Sequence, residues 1–382
     1  MYEFIWDFGQ IFYWLNVVGD DTYSINTKLG ARTHSAWRYN AYIYIKNLKK
    51  EQLYECKGNN FCVNKSTPRL QMYTINDFSF PKILTLPHSS PSRFYDIILI
   101  RGDFMKWREI PKVDAHAHLV TDEFREYFEG DPESEWAYSK KEYFIEIAKK
   151  FNVKKFILQP TNDPFMYQET TKNNSWLGDV VRNSGGLFLA FADVQNIGAY
   201  MLDVAVEQLE DAIKKDGLSG LKIHPNNLNI PFDDLRMVPI LRKAAELEIP
   251  VMVHSNPTMV GFHDDCAPDR INKMIQVFPD VTFITSHLGG MKWQDALSGT
   301  TFADISYILP KLYEIYGAGM TERILKNFGA DRLIFGTDFP QVYKTKAEDV
   351  YERYCDILDE MNFSADEMEK IAYKNICEIL NI

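Results

Sequence analysis

From Met105 to the C-terminus, eight short apolar runs alternate with segments whose apolar residues recur at helical spacing. Strict alternation of strands and helices is typical of a parallel sheet. With eight strands it predicts an α/β fold closed into a (β/α)8 TIM barrel, whose active site lies at the carboxyl ends of the strands. The strands are expected near 112–116, 154–158, 187–192, 220–224, 250–254, 281–286, 301–305 and 332–336, and the helices near 139–150, 201–213, 235–247, 267–278, 310–327, 346–360 and 364–380.

The first strand ends in two histidines, His116 and His118, separated by one residue. In an extended strand, both side chains would point to one face, while Ala115 and Ala117 would pack away from it. A lone His-x-His pair carries little weight, because two polar residues on a solvated strand face are common. The pair becomes informative only if other strands supply further ligands.

Three later strands do so, because His254, His287 and Asp338 stand at the ends of the fifth, sixth and eighth strands. The fourth strand adds Lys222 and His224, again two residues apart. One histidine near a strand end is more often a core residue than a ligand, but the repetition is difficult to attribute to chance. A closed barrel gathers these strand ends in one place, whereas an open doubly wound sheet, the competing architecture, would not.

Composition narrows the classes of partner. A net charge of −11 over 382 residues argues against nucleic acid binding, which favours a basic surface. Five cysteines without a CxxC pair indicate a reducing compartment, so we expect a cytoplasmic protein. The short aromatic run 8–18 follows Glu3 and Asp7 rather than basic residues, so we do not expect it to be a signal peptide, and no apolar stretch reaches the roughly 18 to 20 residues that a membrane span needs. The oligomeric state stays open, although homodimers are common among enzymes.

Six motifs occur in a specific order and spacing. They are Asp114-Ala115-His116-Ala117-His118, Leu221-Lys222-Ile223-His224-Pro225, Val253-His254, Ser286-His287-Leu288-Gly289-Gly290, Asp304-Ile305-Ser306 and Phe335-Gly336-Thr337-Asp338-Phe339-Pro340. Together they resemble the amidohydrolase superfamily. Within it, the similarity is to the branch that contains aminocarboxymuconate semialdehyde decarboxylase, related lactone hydrolases and aromatic acid decarboxylases. The resemblance covers about the last three quarters of the chain.

The resemblance implies that His116, His118, His254 and Asp338 bind a divalent metal ion, with zinc as the expected identity. Three imidazoles and one carboxylate suit zinc, and catalytic zinc sites keep one position open. Asp338 would then take a proton from metal-activated water. His287 would polarise the scissile carbonyl or protonate the leaving group.

Lys222 leaves the number of ions open. In two-metal members of the superfamily, such as phosphotriesterase-like enzymes, a carboxylated lysine on the fourth strand bridges the ions. In the mononuclear branch, a lysine there would instead contact a substrate carboxylate or brace the barrel. The motifs around His287 and Asp338 resemble the mononuclear branch, so one ion is favoured. His224 shares the register of Lys222 and is expected to bind substrate with it.

Three functions are compatible with these residues. The leading hypothesis is a metal-dependent hydrolase of a small lactone, amide or ester. The second is a metal-dependent, non-oxidative decarboxylase of a cyclic or unsaturated carboxylic acid. The third, a non-catalytic barrel, would be expected to have lost part of the ligand set, which is intact here.

Residues 1–104 differ from the rest, with 12 Lys and Arg against 9 Asp and Glu and no evident chemistry. They are expected to form either an N-terminal extension of unknown role or a stretch that is not natively translated. The second hypothesis places the native start at Met105, because 105–114 resembles the usual opening of this family. The metal-dependent barrel would then be 105–382.

We expect residues 105–382 expressed alone to fold and to keep the activity of the full chain, since every candidate ligand lies within them. Thermal unfolding and turnover of the two proteins, compared side by side, test this. Loss of folding or of activity in the shorter chain would argue against Met105 as the native start.

Overall fold

A computed structural model describes residues 106–126, 134–163, 170, 172–195, 197, 201–257, 264–341 and 343–382 in full, and the backbone alone of residue 171. The chain divides into two compact units, Met1–Phe104 and Met105–Ile382. In the first unit only the backbone of short strands is described, so the expectations for residues 1–104 lie largely outside the described residues. These strands are Tyr2–Glu3, Leu15–Asn16, Tyr23–Ser24, Asn40–Asn47, Lys50–Lys57, Asn60–Phe61, Ile83–Pro87 and Phe94–Leu99.

The second unit contains the eight strands that the sequence predicts, and every neighbouring pair is parallel. Two bridges, Ala192 with Leu221 and Ala117 with Phe339, join the two ladders of strands into a closed ring. The predicted TIM barrel is confirmed. The strands are β1 (Lys112–Ala117), β2 (Val153–Leu158), β3 (Phe188–Ala190), β4 (Leu221–Ile223), β5 (Val251–Val253), β6 (Phe283–Thr285), β7 (Phe302–Asp304) and β8 (Leu333–Ile334).

Helices follow the strands, and most match the predicted segments within a few residues. The apolar pattern of the sequence did not predict α1, α3, α5 or α8. Within the described residues, no helix has the length and apolarity to cross a membrane. The helices are α1 (Asp122–Glu126), α2 (Lys141–Phe151), α3 (Thr170–Arg182), α4 (Leu202–Lys214), α5 (Pro225–Leu228), α6 (Met237–Glu246), α7 (Pro268–Val277), α8 (Trp293–Gly299), α9 (Ile308–Phe328), α10 (Val350–Asp359), α11 (Ala365–Glu369) and α12 (Asn375–Leu380). Short 3-10 turns span Glu135–Tyr138, Asp264–Cys266, Ser286–Lys292 and Ala347–Asp349, and a π-helical turn spans Lys370–Lys374.

The core has two layers, because strand side chains alternate between the barrel interior and the helices. In β5, for example, Met252 belongs to the interior cluster, whereas Val251 and Val253 pack in the outer cluster with the helices. The interior cluster consists of Val113, Ala115, Ile157, Phe191, Met252, Ile284, Ile334 and Ile376.

Strand β1 departs from this alternation at a bulge. The register pairs that flank the irregularity are Asp114 with Phe156 and Ala117 with Leu158. Ala115 and His116 therefore both stand opposite Ile157, which is the two-against-one pattern of a β-bulge. The sequence reasoning expected Ala115 to pack away from the histidines, but the structure places it in the interior cluster. The bulge is what lets His116 face the interior directly after it.

The amino-terminal end of the barrel is tied together by Lys112, the first residue of β1. Its side chain is fully buried, and its ammonium group donates hydrogen bonds to the carbonyl oxygens of Trp107, Ile110 (2.7 Å) and Phe151 (2.8 Å). These carbonyls belong to the segment before β1 and to the end of α2. One lysine thus supplies hydrogen-bond donors to backbone carbonyls of the segment before β1 and of the last residue of α2.

Replacing Lys112 by Met should lower the free energy of unfolding by about 1–3 kcal/mol, because buried carbonyl oxygens lose their donors. Turnover at saturating substrate should stay unchanged, since Lys112 lies at the opposite end of the strands from the candidate ligands. Denaturant unfolding of Lys112→Met tests this, with the exposed Lys149→Met as the matched control. Equal stability of the two variants would contradict the role of Lys112.

Candidate metal centre and active site

All seven site residues predicted from the sequence lie at or just beyond the carboxyl ends of barrel strands. This placement follows from the parallel closed sheet, in which every strand ends at the same rim. Their distribution is His116 and His118 at β1, Lys222 and His224 at β4, His254 after β5, His287 after β6 and Asp338 after β8.

Three of them meet around one carboxylate oxygen. Asp338 Oδ1 lies 3.1 Å from His116 Nε2 and 3.0 Å from His118 Nε2. All three side chains are buried. Their ligand atoms form one of two groups in the described residues that are compact enough to hold a metal ion; the other joins His116 to His287 and Asp304.

Hydrogen bonds on the far side of each ring fix which nitrogen carries the proton. His118 Nδ1 lies 2.6 Å from the carbonyl oxygen of Gln159, which can only accept, so Nδ1 donates. His116 Nδ1 lies 2.9 Å from the carboxylate of Asp304 and donates in the same way. In both rings, Nε2 is left with its lone pair facing Asp338. Metal-binding histidines are held in this way by carboxylate or carbonyl partners.

Three acceptor atoms therefore converge with no proton between them, unless a ring gains a second proton. Burial and the nearby charge of Lys222 oppose a second proton on the His116 ring, because they lower the pKa of His116 to about 3. Burial alone would raise the pKa of Asp338, but the surrounding imidazoles, foremost His116, lower it below the usual carboxyl range. A buried cluster of unprotonated acceptors is stabilised by a cation. The donor set fits a divalent metal ion.

Lys222 supplies a positive charge beside this cluster. Its Nζ is fully buried, 3.0 Å from His116 Nε2 and 3.5 Å from Ser286 Oγ. Burial lowers the pKa of Lys222 to about 8, although Asp304 and Asp338 act in the opposite direction. Lys222 therefore remains largely protonated at neutral pH and donates to His116.

The other three histidines form a connected row along the rim. His254 Nδ1 lies 3.1 Å from His287 Nε2, and the His254 ring stacks on His224 at 3.7 Å between centroids. His287 Nδ1 lies 2.9 Å from the carbonyl oxygen of Ser306, so Nδ1 donates there and Nε2 accepts from His254. This assignment leaves His254 Nε2 as the lone-pair nitrogen that could bind a metal ion. His254 thus contacts the ligand cluster through His287.

Asp304 and Ser306 are the site residues to which the sequence reasoning assigned no role. Asp304 orients the His116 ring through one oxygen, and its other oxygen accepts from the backbone N–H of His287 at 2.9 Å. Ser306 Oγ donates to Asp304 and lies within 3.0 Å of both His116 Nδ1 and His287 Nδ1. Asp304 is the last residue of β7, so its strand-end position was the available signal.

Backbone strain is concentrated at the same rim. The residues with positive φ at strand ends are Asn162 (52°), His287 (57°), Tyr307 (57°) and Asp338 (69°). For a bulky residue this conformation is costly, and such outliers cluster at functional sites. At His287 the turn continues through Leu288, Gly289 and Gly290, and a Cβ at Gly289 would come within 2.8 Å of Ala296 and Pro268. The close packing explains glycine there.

Replacing Asp304 by Asn should weaken zinc binding by about 10- to 100-fold, the usual effect of losing a partner behind a metal ligand. In either orientation, the amide NH2 would face a donor, either the backbone N–H groups at Oδ1 or the ring N–H of His116 at Oδ2. Competition with a chromogenic chelator measures the zinc affinity, and the exposed Asp203→Asn serves as control. An unchanged affinity in Asp304→Asn would show that the carboxylate does not orient His116.

Comparisons with solved structures agree with the barrel. A 2,6-dihydroxybenzoate decarboxylase in complex with 2,6-dihydroxybenzoate is 16% identical, with a TM-score of 0.55, over 71% of this chain and 99% of that one. A probable 2-pyrone-4,6-dicarboxylic acid hydrolase from Acinetobacter baumannii, with bound citric acid, is 17% identical, with a TM-score of 0.51, over 72% and 100%. A 5-carboxyvanillate decarboxylase from Novosphingobium aromaticivorans, complexed with manganese, is 13% identical, with a TM-score of 0.52, over 72% and 97%. At these identities the likeness shows the fold alone.

No curated protein sequence matches the chain significantly. The family model described as Amidohydrolase matches residues 113–382, which is more than two thirds of the chain and includes every candidate ligand. With the resemblance of the six motifs and the closed barrel, this match shows that the chain belongs to the amidohydrolase family, a family of enzymes.

Proposed function

We propose that this enzyme is a metal-dependent hydrolase of a small lactone, amide or ester. The observation that carries the proposal is the approach of His116 Nε2 and His118 Nε2 to within 3.1 Å of Asp338 Oδ1, with no ring proton between them. His254 would complete the ligand set through Nε2. Zinc is the expected ion, since three imidazoles and one carboxylate suit it.

When bound, a divalent ion supplies Lewis acidity that polarises a carbonyl group and makes water a nucleophile at neutral pH. Asp338, whose pKa lies below the usual range, stays ionised and can accept the proton that water gives up. His287 is held by Ser306 and Asp304 with its ring against His116. Its Nε2, which accepts from His254 in the structure, would have to carry a proton in order to donate to the oxygen that gains negative charge.

Lys222 and His224 are proposed to bind the substrate. The buried ammonium of Lys222 would pair with a substrate carboxylate. His224 receives a hydrogen bond at Nδ1 from the backbone N–H of Asn227, at 3.3 Å, so its Nε2–H is free to donate. We propose a small molecule, with a carboxylate as one of its groups, as the partner of this site.

One metal ion is favoured over two. In the structure Lys222 Nζ donates to the same His116 nitrogen that a metal would need, so lysine and metal ion compete for one lone pair. A two-metal centre would require Lys222 to be carboxylated and to bridge the ions. We also propose a cytoplasmic location, consistent with Cys266, Cys355 and Cys377 being free thiols.

A metal-dependent, non-oxidative decarboxylase is the second candidate, and the buried Lys222 favours it. Decarboxylation requires a site that anchors a carboxylate and an acid that protonates carbon. Lys222 would provide the anchor and His287 the acid in this alternative. Several structural relatives are named as decarboxylases, but their identities of 11–16% carry only the fold.

Metal analysis of the full chain purified without added ions should find about one equivalent of zinc. Two equivalents together with a modified Lys222 would overturn the single-ion proposal.

His118→Ala and Asp338→Ala should abolish turnover while the far-ultraviolet circular dichroism stays unchanged, because both replacements remove ligands at the rim and leave the core intact. Replacing the partly exposed His224 by Ala leaves the proposed metal ligands in place. It should therefore lower turnover without changing the metal content. Full activity in either ligand variant would remove that residue from the mechanism.

A substrate panel of lactones, esters, amides and aromatic or unsaturated acids separates the two reactions. Hydrolysis is expected to show acid release and ring opening without carbon dioxide. Release of carbon dioxide from an acid in the panel would instead establish the decarboxylase.

A further inference from the structure

The bulge in β1 creates a problem of both geometry and hydrogen bonding. Without it, strict alternation after Val113 and Ala115, which face the interior, would turn His116 toward the helices. With it, His116 faces the ligand cluster. An inserted residue interrupts the ladder between strands, so the backbone N–H of His116 needs another acceptor.

That acceptor is the side chain of Asp114. Asp114 Oδ1 accepts from the N–H of His116 at 3.0 Å and from the N–H of Thr337 at 3.2 Å. Thr337 directly precedes Asp338, so one oxygen atom holds the backbone of one proposed ligand, His116, and of the residue next to another. At the level of the ligands, this side chain adds to the backbone hydrogen bonds that close the seam between β1 and β8, in which Asp338 N–H donates to the His116 carbonyl and His118 N–H to the Phe339 carbonyl, both at 2.7 Å.

The second oxygen of Asp114 is also fully used. Asp114 Oδ2 accepts from Thr337 Oγ1 at 2.6 Å and from the hydroxyl of Tyr351 in α10. Four donors saturate the carboxylate, which is completely buried. The arrangement leaves the side chain of Asp114 no other orientation without breaking several of these hydrogen bonds.

The approach of β8 to the bulge is tight. A Cβ placed on Gly336 would lie 3.0 Å from the Cβ of His116 and 3.3 Å from the Cβ of Ser306. A small shift of the bulge would therefore bring His116 against β8 or move its ring away from Asp338. The position of the His116 ring depends on the bulge being held in one conformation.

We propose that Asp114 is a positioning residue: by accepting the N–H groups of His116 and Thr337 at Oδ1, it holds the β1 bulge and so aims His116 and Asp338 at a shared metal ion. The inference rests on the proposed metal site. Asp114 lies on the outer side of β1, with Tyr351 of α10, and acts on the ion only through the two ligands.

Four variants of the full chain test the proposal, with zinc affinity measured by chelator competition. Asp114→Asn keeps an acceptor at Oδ1 and should bind zinc within a few-fold of the original protein. Asp114→Ala loses the acceptor, and Asp114→Glu keeps the charge but displaces it by one methylene; both should bind zinc about 10- to 100-fold more weakly. Tyr351→Phe, the control, removes a donor only from Oδ2 and should change zinc affinity little.

Two further measurements exclude a merely structural role. Cobalt substituted for zinc should give an altered visible spectrum in Asp114→Glu, because its ligand geometry changes, and an unaltered one in Tyr351→Phe. In zinc-free protein, the amide hydrogens of His116 and Thr337 should exchange slowly in the original chain and in Asp114→Asn, and rapidly in Asp114→Glu.

The outcomes are separable. The positioning role would be overturned if Asp114→Glu bound zinc as tightly as the original chain. It would also be overturned if Asp114→Asn bound zinc as weakly as Asp114→Glu. These two variants decide the question even if Asp114→Ala does not fold. Failure of the original chain to bind zinc would count against the proposed function instead. Hydrogen exchange at His116 and Thr337 would still decide whether Asp114 holds the bulge, and fast exchange in the original chain would overturn it.

Discussion

The site depends on holding three hydrogen-bond acceptors against one another in a buried place. His116 Nε2, His118 Nε2 and Asp338 Oδ1 repel one another unless a cation or an extra proton joins them, and burial makes the extra proton costly. Such an arrangement persists only if the surrounding structure fixes each group from behind. The carbonyl of Gln159 does this for His118, and the carboxylate of Asp304 does it for His116.

A closed parallel barrel is well suited to this task because every strand delivers its last residues to the same rim. The sharp turns at the strand ends strain the backbone locally. His287, Tyr307 and Asp338 adopt positive φ values at the ends of strands β6, β7 and β8, where each chain turns sharply away from the sheet. The apolar interior cluster and the outer helical layer, which are regularly packed, supply the stability that tolerates these turns.

Much of this was accessible from the sequence, because it depends on periodicity. Eight apolar runs alternating with helical segments were sufficient for the barrel, and potential ligands at strand ends were sufficient for the location of the site. The histidine tautomers were not accessible, since a backbone carbonyl such as that of Gln159 leaves no trace in the residue pattern. The bulge was also missed: simple alternation placed His116 and His118 on the right face but Ala115 on the wrong one.

Hydrolysis and decarboxylation use the ligand cluster in the same way and differ in where a proton goes. His116 cannot provide that proton, because its pKa is far below neutrality and its Nδ1–H is committed to Asp304. The groups that remain beside the cluster are Lys222, with a pKa near 8, and His287. Lys222 lies on the fourth strand and His287 follows the sixth. A substrate that places its leaving oxygen near His287 would be hydrolysed, whereas one that fixes a carboxylate at Lys222 and presents carbon to His287 would lose carbon dioxide. On the proposed function, the orientation of the substrate at the rim would decide between the two reactions, which share one ligand set.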